Sequence, residues 1–209
     1  MDNEDAKLRT IRLFLSYSHK DRELAGEIKE NLQDCGFEVF LAHEDIEPSS
    51  EWLEEIIRRL KDCDVFIPII SKNFKESNWT DQESGIAFAE EKMIIPLRLD
   101  LVPYGFIGKF QALKLSGSIS DTCTKIIDII KIKNKALKEI ITDNFIKSFI
   151  NSESFAEANR KAQLLSSHEP LTDEQINEIV RGFVTNSQVY GAFTSKRIVK
   201  KFYEEHSSY

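Results

Sequence analysis

The chain has 209 residues, 41% of them hydrophobic and 30% charged. That length suits one α/β domain plus a smaller appendage, and the composition is that of a globular protein rather than a disordered or fibrous one. A formal net charge of −7 argues against general nucleic-acid binding, which favours a basic surface.

Three scattered cysteines (Cys35, Cys63, Cys123) form no C-x-x-C pair and read as reduced core thiols. The four histidines have no metal-ligand spacing, so no metal site is expected. The acidic start, Met1-Asp2-Asn3-Glu4-Asp5, lacks an apolar signal core. No apolar run approaches the roughly 20 residues that cross a bilayer. These features predict a cytoplasmic protein without membrane contact.

In chain order, Ile11-Arg12-Leu13-Phe14-Leu15-Ser16 reads as a short buried strand. Residues 21–35 follow with helical spacing, Leu24, Ile28 and Leu32 sharing one face, and Gly36 ends the helix. Phe37-Glu38-Val39-Phe40-Leu41 is a second strand, followed by a polar loop at 42–50. Trp52, Ile56, Ile57 and Leu60 mark a second helix, and a third strand begins at Cys63 or Asp64. Pro68 lies inside that strand although proline donates no ladder hydrogen bond. Residues 79–91 predict a helix, 93–99 a fourth strand, 112–115 a weak fifth strand, and 121–131 the start of a long helical tract.

Strand and helix alternate about five times, which implies parallel strands with crossover helices. The expected fold is α/β, a five-stranded parallel doubly wound (flavodoxin-like) sheet. Ligands in such sheets gather at the carboxyl ends of the strands. Beyond residue 134 only helical spacing remains, with segments at 155–165, 172–184 and 192–205. Thr172-Asp173-Glu174-Gln175 is a capping box. The expected division is 8–133 for the sheet domain and 134–209 for a helical extension or small helical domain.

The loop after the first strand, Ser16-Tyr17-Ser18-His19-Lys20-Asp21, has no glycine. A dinucleotide-binding turn, a P-loop and a flavodoxin phosphate loop are therefore unsupported. Ser16 and Ser71 stand where a phosphoacceptor receiver would need acids at the ends of strands one and three.

Several segments in order resemble the Toll/interleukin-1 receptor (TIR) domain family. Leu13-Phe14-Leu15-Ser16-Tyr17-Ser18-His19-Lys20-Asp21 resembles its opening strand and polar turn. Gly36-Phe37-Glu38-Val39-Phe40 is similar to its second strand. Ser71-Lys72-Asn73-Phe74-Lys75-Glu76-Ser77-Asn78-Trp79 resembles its S-x-x-[YF]-x-x-S-x-W stretch, and Glu83 occupies the place of its helical glutamate. The resemblance covers roughly residues 10 to 130, and its type is the prokaryotic NAD+-cleaving one.

It implies that Glu83 is catalytic and that the protein cleaves the nicotinamide–ribose bond of NAD+, as a hydrolase or cyclase. NAD+ is then a substrate, and no cofactor is expected. Trp79, Tyr17, Ser18, His19 and Glu47 would meet the substrate. The loop at 42–50, with His43, Glu44, Asp45, Ile46 and Pro48, would mediate self-association. An antiviral defence role and a sensor or effector partner for the helical tail are also implied. The alternative within the family is a non-catalytic adaptor or decoy. A nucleoside deoxyribosyltransferase relative, which sets a glutamate at a ribose bond on a similar sheet, is less favoured by the S-x-x-F-x-x-S-x-W stretch.

Overall fold

The computed structural model describes residues 9–42, 52–166 and 171–206. The chain divides into two compact units. One comprises Thr10–Gln33 and Phe37–Asn134; the other comprises Lys135–Tyr209 with Met1–Arg9 and Asp34–Gly36.

The first unit holds β1 (Arg12–Ser16), β2 (Glu38–Leu41), β3 (Val65–Ile70), β4 (Met93–Ile94), β5 (Leu97–Arg98) and β6 (Leu113–Lys114). All pairings are parallel, in the order β2-β1-β3-β5-β6, with β4 also paired to β3. The helices are α1 (Arg22–Asp34), α2 (Trp52–Asp62), the one-turn α3 (Lys72–Lys75), α4 (Asn78–Ala89) and α5 (Ile119–Lys133). This is the flavodoxin-like α/β architecture. Every residue of β3 is buried, as a central parallel strand requires.

The expected fourth strand is split into β4 and β5, and Pro68 supplies a reason. Phe66 and Ile70 accept from Ile95 N and Leu99 N at 3.0 Å each. Backbone groups two residues apart face the same neighbour, so Pro68 faces that side too. There β4 stops at Ile94 and β5 resumes at Leu97, with Pro96 in the gap. The donor that proline lacks thus falls where the neighbouring strand is interrupted. On its other side Pro68 is opposite Ser16, the last residue of β1.

Phe14 centres the core beneath this sheet. Its ring lies 5.1 Å from that of Phe40 and 5.8 Å from that of Phe66. Ile56 and Leu60 of α2, Phe74 of α3 and Ala87 of α4 join the same cluster. The apolar spacing of α2 therefore docks it on the sheet, while α4 docks through Ala87 with the half-buried Ile86 and Phe88 packed against the same cluster. Cys35, Cys63 and Cys123 are buried thiols, and burial pushes the Cys63 thiol up to about 11.

The second unit contains α6 (Lys135–Ile150), α7 (Phe155–Leu165), α8 (Asp173–Thr185), α9 (Ser187–Gly191) and α10 (Phe193–His206). The expected long tract breaks at Asn134, whose backbone is extended (φ −137°, ψ 98°). The capping box at Thr172 is complete: its hydroxyl accepts from Gln175 N at 3.2 Å and Gln175 Oε1 accepts from Thr172 N at 3.0 Å. The one-turn α9 has no apolar period to announce it and starts from Asn186, which accepts from Gln188 N. Phe145, Phe149, Ile179 and Phe202 are buried in this unit. Lys161, also buried, donates to Glu157 and to Ser148 O.

Helix α8 approaches α6 closely at Gly182, where an added Cβ would lie 2.4 Å from Ile150 Cβ. Gly182→Ala is expected to cost about 1–3 kcal/mol through overpacking, read as a lower urea midpoint with an unchanged slope. No described helix is long and apolar enough to cross a membrane.

Candidate active site

Helix α4 carries Glu83 to the carboxyl end of β1. Its start is set by Ser77, an extended residue at the N-cap, and by Thr80, whose hydroxyl lies 2.6 Å from Phe74 O and 3.0 Å from Ser77 O. Its inward face is Thr80, Glu83, Ser84 and Ala87. That face is polar and small, so a carboxyl group enters the protein on it.

Glu83 is only 1% exposed, which excludes an ordinary solvated helix position. Ser16 Oγ donates to its Oε2. Its Oε1 has no hydrogen-bond partner among the described residues. Burial pushes the carboxyl up to about 8, and the Ser16 bond opposes that rise by favouring the ionised form.

The surrounding loops are tied together by Asp21, in a 3-10 turn after β1. Asp21 Oδ2 accepts from Ser71 Oγ at 2.5 Å and Oδ1 accepts from Asn73 Nδ2 at 2.9 Å. Ser71 Oγ in turn accepts from Phe74 N at 2.9 Å and so caps α3. Lys72 N donates to Asp100 Oδ1 at 2.9 Å, bringing in the loop after β5. From the same loop Tyr104 OH donates to Asp81 Oδ1 at 2.8 Å, and its ring lies under Lys75 Nζ. Burial and the neighbouring carboxylate push the Tyr104 phenol upward.

Among the residues expected to act, Trp79 is half-buried one turn before Glu83 on α4. Tyr17 is fully buried directly after Ser16, Ser18 is 8% exposed, and His19 is exposed in the 3-10 turn. The structure thus brings Glu83 to the β1 terminus, beside the start of the Tyr17-Ser18-His19 segment. His43, Glu44, Asp45, Ile46, Glu47 and Pro48 lie outside the described residues. Sequence reading did not assign Ser16 to Glu83, nor Asp21 to Ser71 and Asn73. The available signal was a hydroxyl residue ending each of two adjacent buried strands. No group of side chains that could hold a metal ion occurs among the described residues. In the helical unit a groove of about 350 Å³, lined by Glu139, Asp143, Lys147, Gln175 and Glu178 among others, holds none of the expected site residues.

A parallel sheet of this order, with a buried carboxyl at the end of its first strand, defines a flavodoxin-like α/β domain with a candidate site at the strand termini. The model described as "TIR domain" matches residues 13–127, more than half of the chain, and the protein belongs to the TIR-domain family. No curated protein matches it. Solved structures similar to it include the TIR domain of a Toll-related receptor from Hydra magnipapillata, at 22% identity, 61% of this chain, 96% of that one and a TM-score of 0.45. The TIR domains of the activated Roq1 resistosome match at 15% identity, 76% and 99% coverage and a TM-score of 0.42. A CMP N-glycosidase from Clostridium botulinum matches at 20% identity, 55% and 97% coverage and a TM-score of 0.41.

Proposed function

We propose that this protein cleaves NAD+ at the nicotinamide–ribose bond, with Glu83 as its catalytic residue. The observation that carries the reading is the Glu83 carboxyl, enclosed at the carboxyl end of β1 with Oε1 uncommitted among the described residues. When the C1′–N bond breaks, its electron pair leaves with the pyridine nitrogen and nicotinamide departs neutral. No general acid is needed, so a site with one carboxylate suffices. The ribose retains oxocarbenium character, which the Glu83 carboxylate stabilises. Water then adds to C1′ and sheds a proton, giving ADP-ribose; attack by an adenine nitrogen instead gives a cyclic isomer.

A carboxyl that is 1% exposed meets no nucleotide until its cover moves. Activity therefore belongs to a rearranged form, and self-association through residues 42–50, with Glu47 reaching the substrate, supplies it. Trp79 stacks on a flat ring of the substrate, while Tyr17, Ser18 and His19 border it. The setting is cytoplasmic antiviral defence, and residues 134–209 engage a sensor or effector protein. The purified 209-residue chain incubated with NAD+ is expected to release nicotinamide at a rate that rises more steeply than linearly with protein concentration. No release at any concentration, with or without crowding agent, overturns the reading and leaves a non-catalytic interaction module.

A further inference from the structure

Glu83 enters the domain interior with little to hold it. An ionised carboxylate offers about four acceptor sites. Here a single described donor, Ser16 Oγ, reaches it, and it reaches Oε2. Oε1 is fully enclosed and has no described partner. The asymmetry is built into the fold, because the two residues come from different elements, β1 and α4.

Ser16 is placed to impose geometry. It is fully buried, and its backbone sits in the β1–β3 ladder opposite Pro68. The hydroxyl is thus mounted on the last residue of an interior strand rather than on a loop, and regular elements hold a side chain more closely to one position than loops do. Glu83 hangs from a helix whose inward hydroxyls do not bond to it: Thr80 is bonded to Phe74 O and Ser77 O, and Ser84 Oγ makes no described hydrogen bond. Without Ser16, the carboxyl group has three side-chain torsions and no fixed partner among the described residues.

We propose that Ser16 is a positioning residue for Glu83: its donated hydrogen bond commits Oε2 to the protein and leaves Oε1 as the oxygen that meets the ribose hydroxyls or the developing charge at C1′. This deepens the NAD+-cleavage reading and rests on it for its catalytic consequence. The hold itself is independent of that reading. Burial raises the Glu83 pKa and the Ser16 bond lowers it, and no charged side chain of α2 (Arg58, Arg59, Asp62), α3 (Lys72, Lys75) or α4 (Asp81) contributes. Ser16 is therefore the one described side chain that acts on Glu83 through a hydrogen bond, and its bond favours the ionised form against the burial that opposes it.

The experiment compares wild type, Ser16→Ala and Ser16→Thr. One arm titrates the Glu83 side-chain carboxyl carbon by ¹³C NMR, assigned by difference from Glu83→Gln. The other measures nicotinamide release over a range of NAD+ concentrations. Ser16→Ala is expected to move the Glu83 midpoint upward by half a pH unit or more. It is also expected to lower kcat about tenfold or more with KM within twofold, the pattern for an interaction felt in the transition state. Ser16→Thr keeps the hydroxyl and is expected to restore the midpoint and the rate together. A Ser16→Ala protein with the wild-type midpoint, or with a shifted midpoint and undiminished kcat, overturns the proposal. If wild type releases no nicotinamide under any condition while the midpoint still moves, the cleavage reading falls and the hold of Ser16 on Glu83 stands.

Discussion

Glu83→Gln is expected to reduce nicotinamide release by about 10²–10³-fold or more, the scale for deleting a charge-stabilising group, while making the protein more stable above pH 5. The two effects have one cause. The Glu83 carboxyl is buried with a single described donor and is pushed from 4.5 up to about 8. An unfolded glutamate releases its proton near 4.5, so between 4.5 and 8 the native state binds the extra proton. Stability then falls as pH rises through that window. It is fully present below 4.5 and is lost as pH climbs through about 8. Each tenfold change in proton affinity is worth about 1.4 kcal/mol, so the wild type gives up on the order of 5 kcal/mol by alkaline pH. Glutamine has nearly the same shape, retains an acceptor for Ser16 and never ionises. Urea unfolding at pH 5 and pH 9 is expected to show a declining midpoint for wild type and a much smaller decline for Glu83→Gln, where the buried Cys63 thiol still titrates. Equal pH dependence in the two proteins contradicts the buried position of this side chain. A stabilised variant with undiminished turnover removes the catalytic role while leaving the burial intact.

A destabilising acid on an inward helix face is the kind of local conflict that functional sites carry. The physics also explains what the sequence could and could not disclose. The strands were legible because a central parallel strand is buried on both faces, and Val65-Phe66-Ile67-Pro68-Ile69-Ile70 carries no ionisable side chain to contradict that. Helix α2 was legible because Ile56 and Leu60 repeat at helical spacing toward the Phe14 cluster. Helix α4 was legible by position but not by face. Its buried residues are Thr80, Glu83, Ser84 and Ala87, and no apolar period separates them from the exposed Asp81 and Gln82. Burial of Glu83 could be learned only from the fold. The split of the fourth strand was not foreseen, although Pro68 and Pro96 both signalled it. Each proline lacks a donor, but that Pro68 falls opposite the Pro96 break depends on register, and register is a property of the paired sheet. Likewise the partners of Asp21 lie 50 and 52 residues away, at Ser71 and Asn73. Nothing local in Ser-x-x-Asp distinguishes a solvated turn aspartate from one that ties two loops together.

Asp21→Ala tests that tie, and its effect on stability is expected to be the largest of any single loop substitution in the sheet domain. Asp21 accepts from Ser71 Oγ and Asn73 Nδ2, and Ser71 Oγ accepts from Phe74 N. Ser71 is buried while Asp21 is half-buried, so in Asp21→Ala the Ser71 hydroxyl proton loses its partner and only water entering the vacated space can replace it. Hydrogen bonds to a charged acceptor contribute about 1.5–3 kcal/mol each, and an orphaned buried donor adds its own desolvation penalty. Two such bonds are lost here, but Asp21 and Asn73 are both half-buried, so water replaces part of what is lost and a cost of about 2–4 kcal/mol is expected rather than the full sum. The consequence extends beyond stability. Phe74, which begins its helical turn on Ser71, offers its carbonyl to Thr80, and Thr80 fixes the first turn of α4. Loosening Asp21 therefore loosens the start of the helix that carries Trp79 and Glu83. Hydrogen exchange is expected to rise at the amides of Phe74 through Thr80 while β1 and β3 stay protected, since the strand ladders do not pass through Asp21. Nicotinamide release is expected to fall with it, though less than in Glu83→Gln, because the carboxylate and its Ser16 partner remain. Asp21→Asn keeps one acceptor oxygen for Ser71 and is expected to recover part of the stability. If both substitutions leave the urea midpoint and the Phe74–Thr80 exchange unchanged, the loops after β1 and β3 are ordered by something other than this carboxylate.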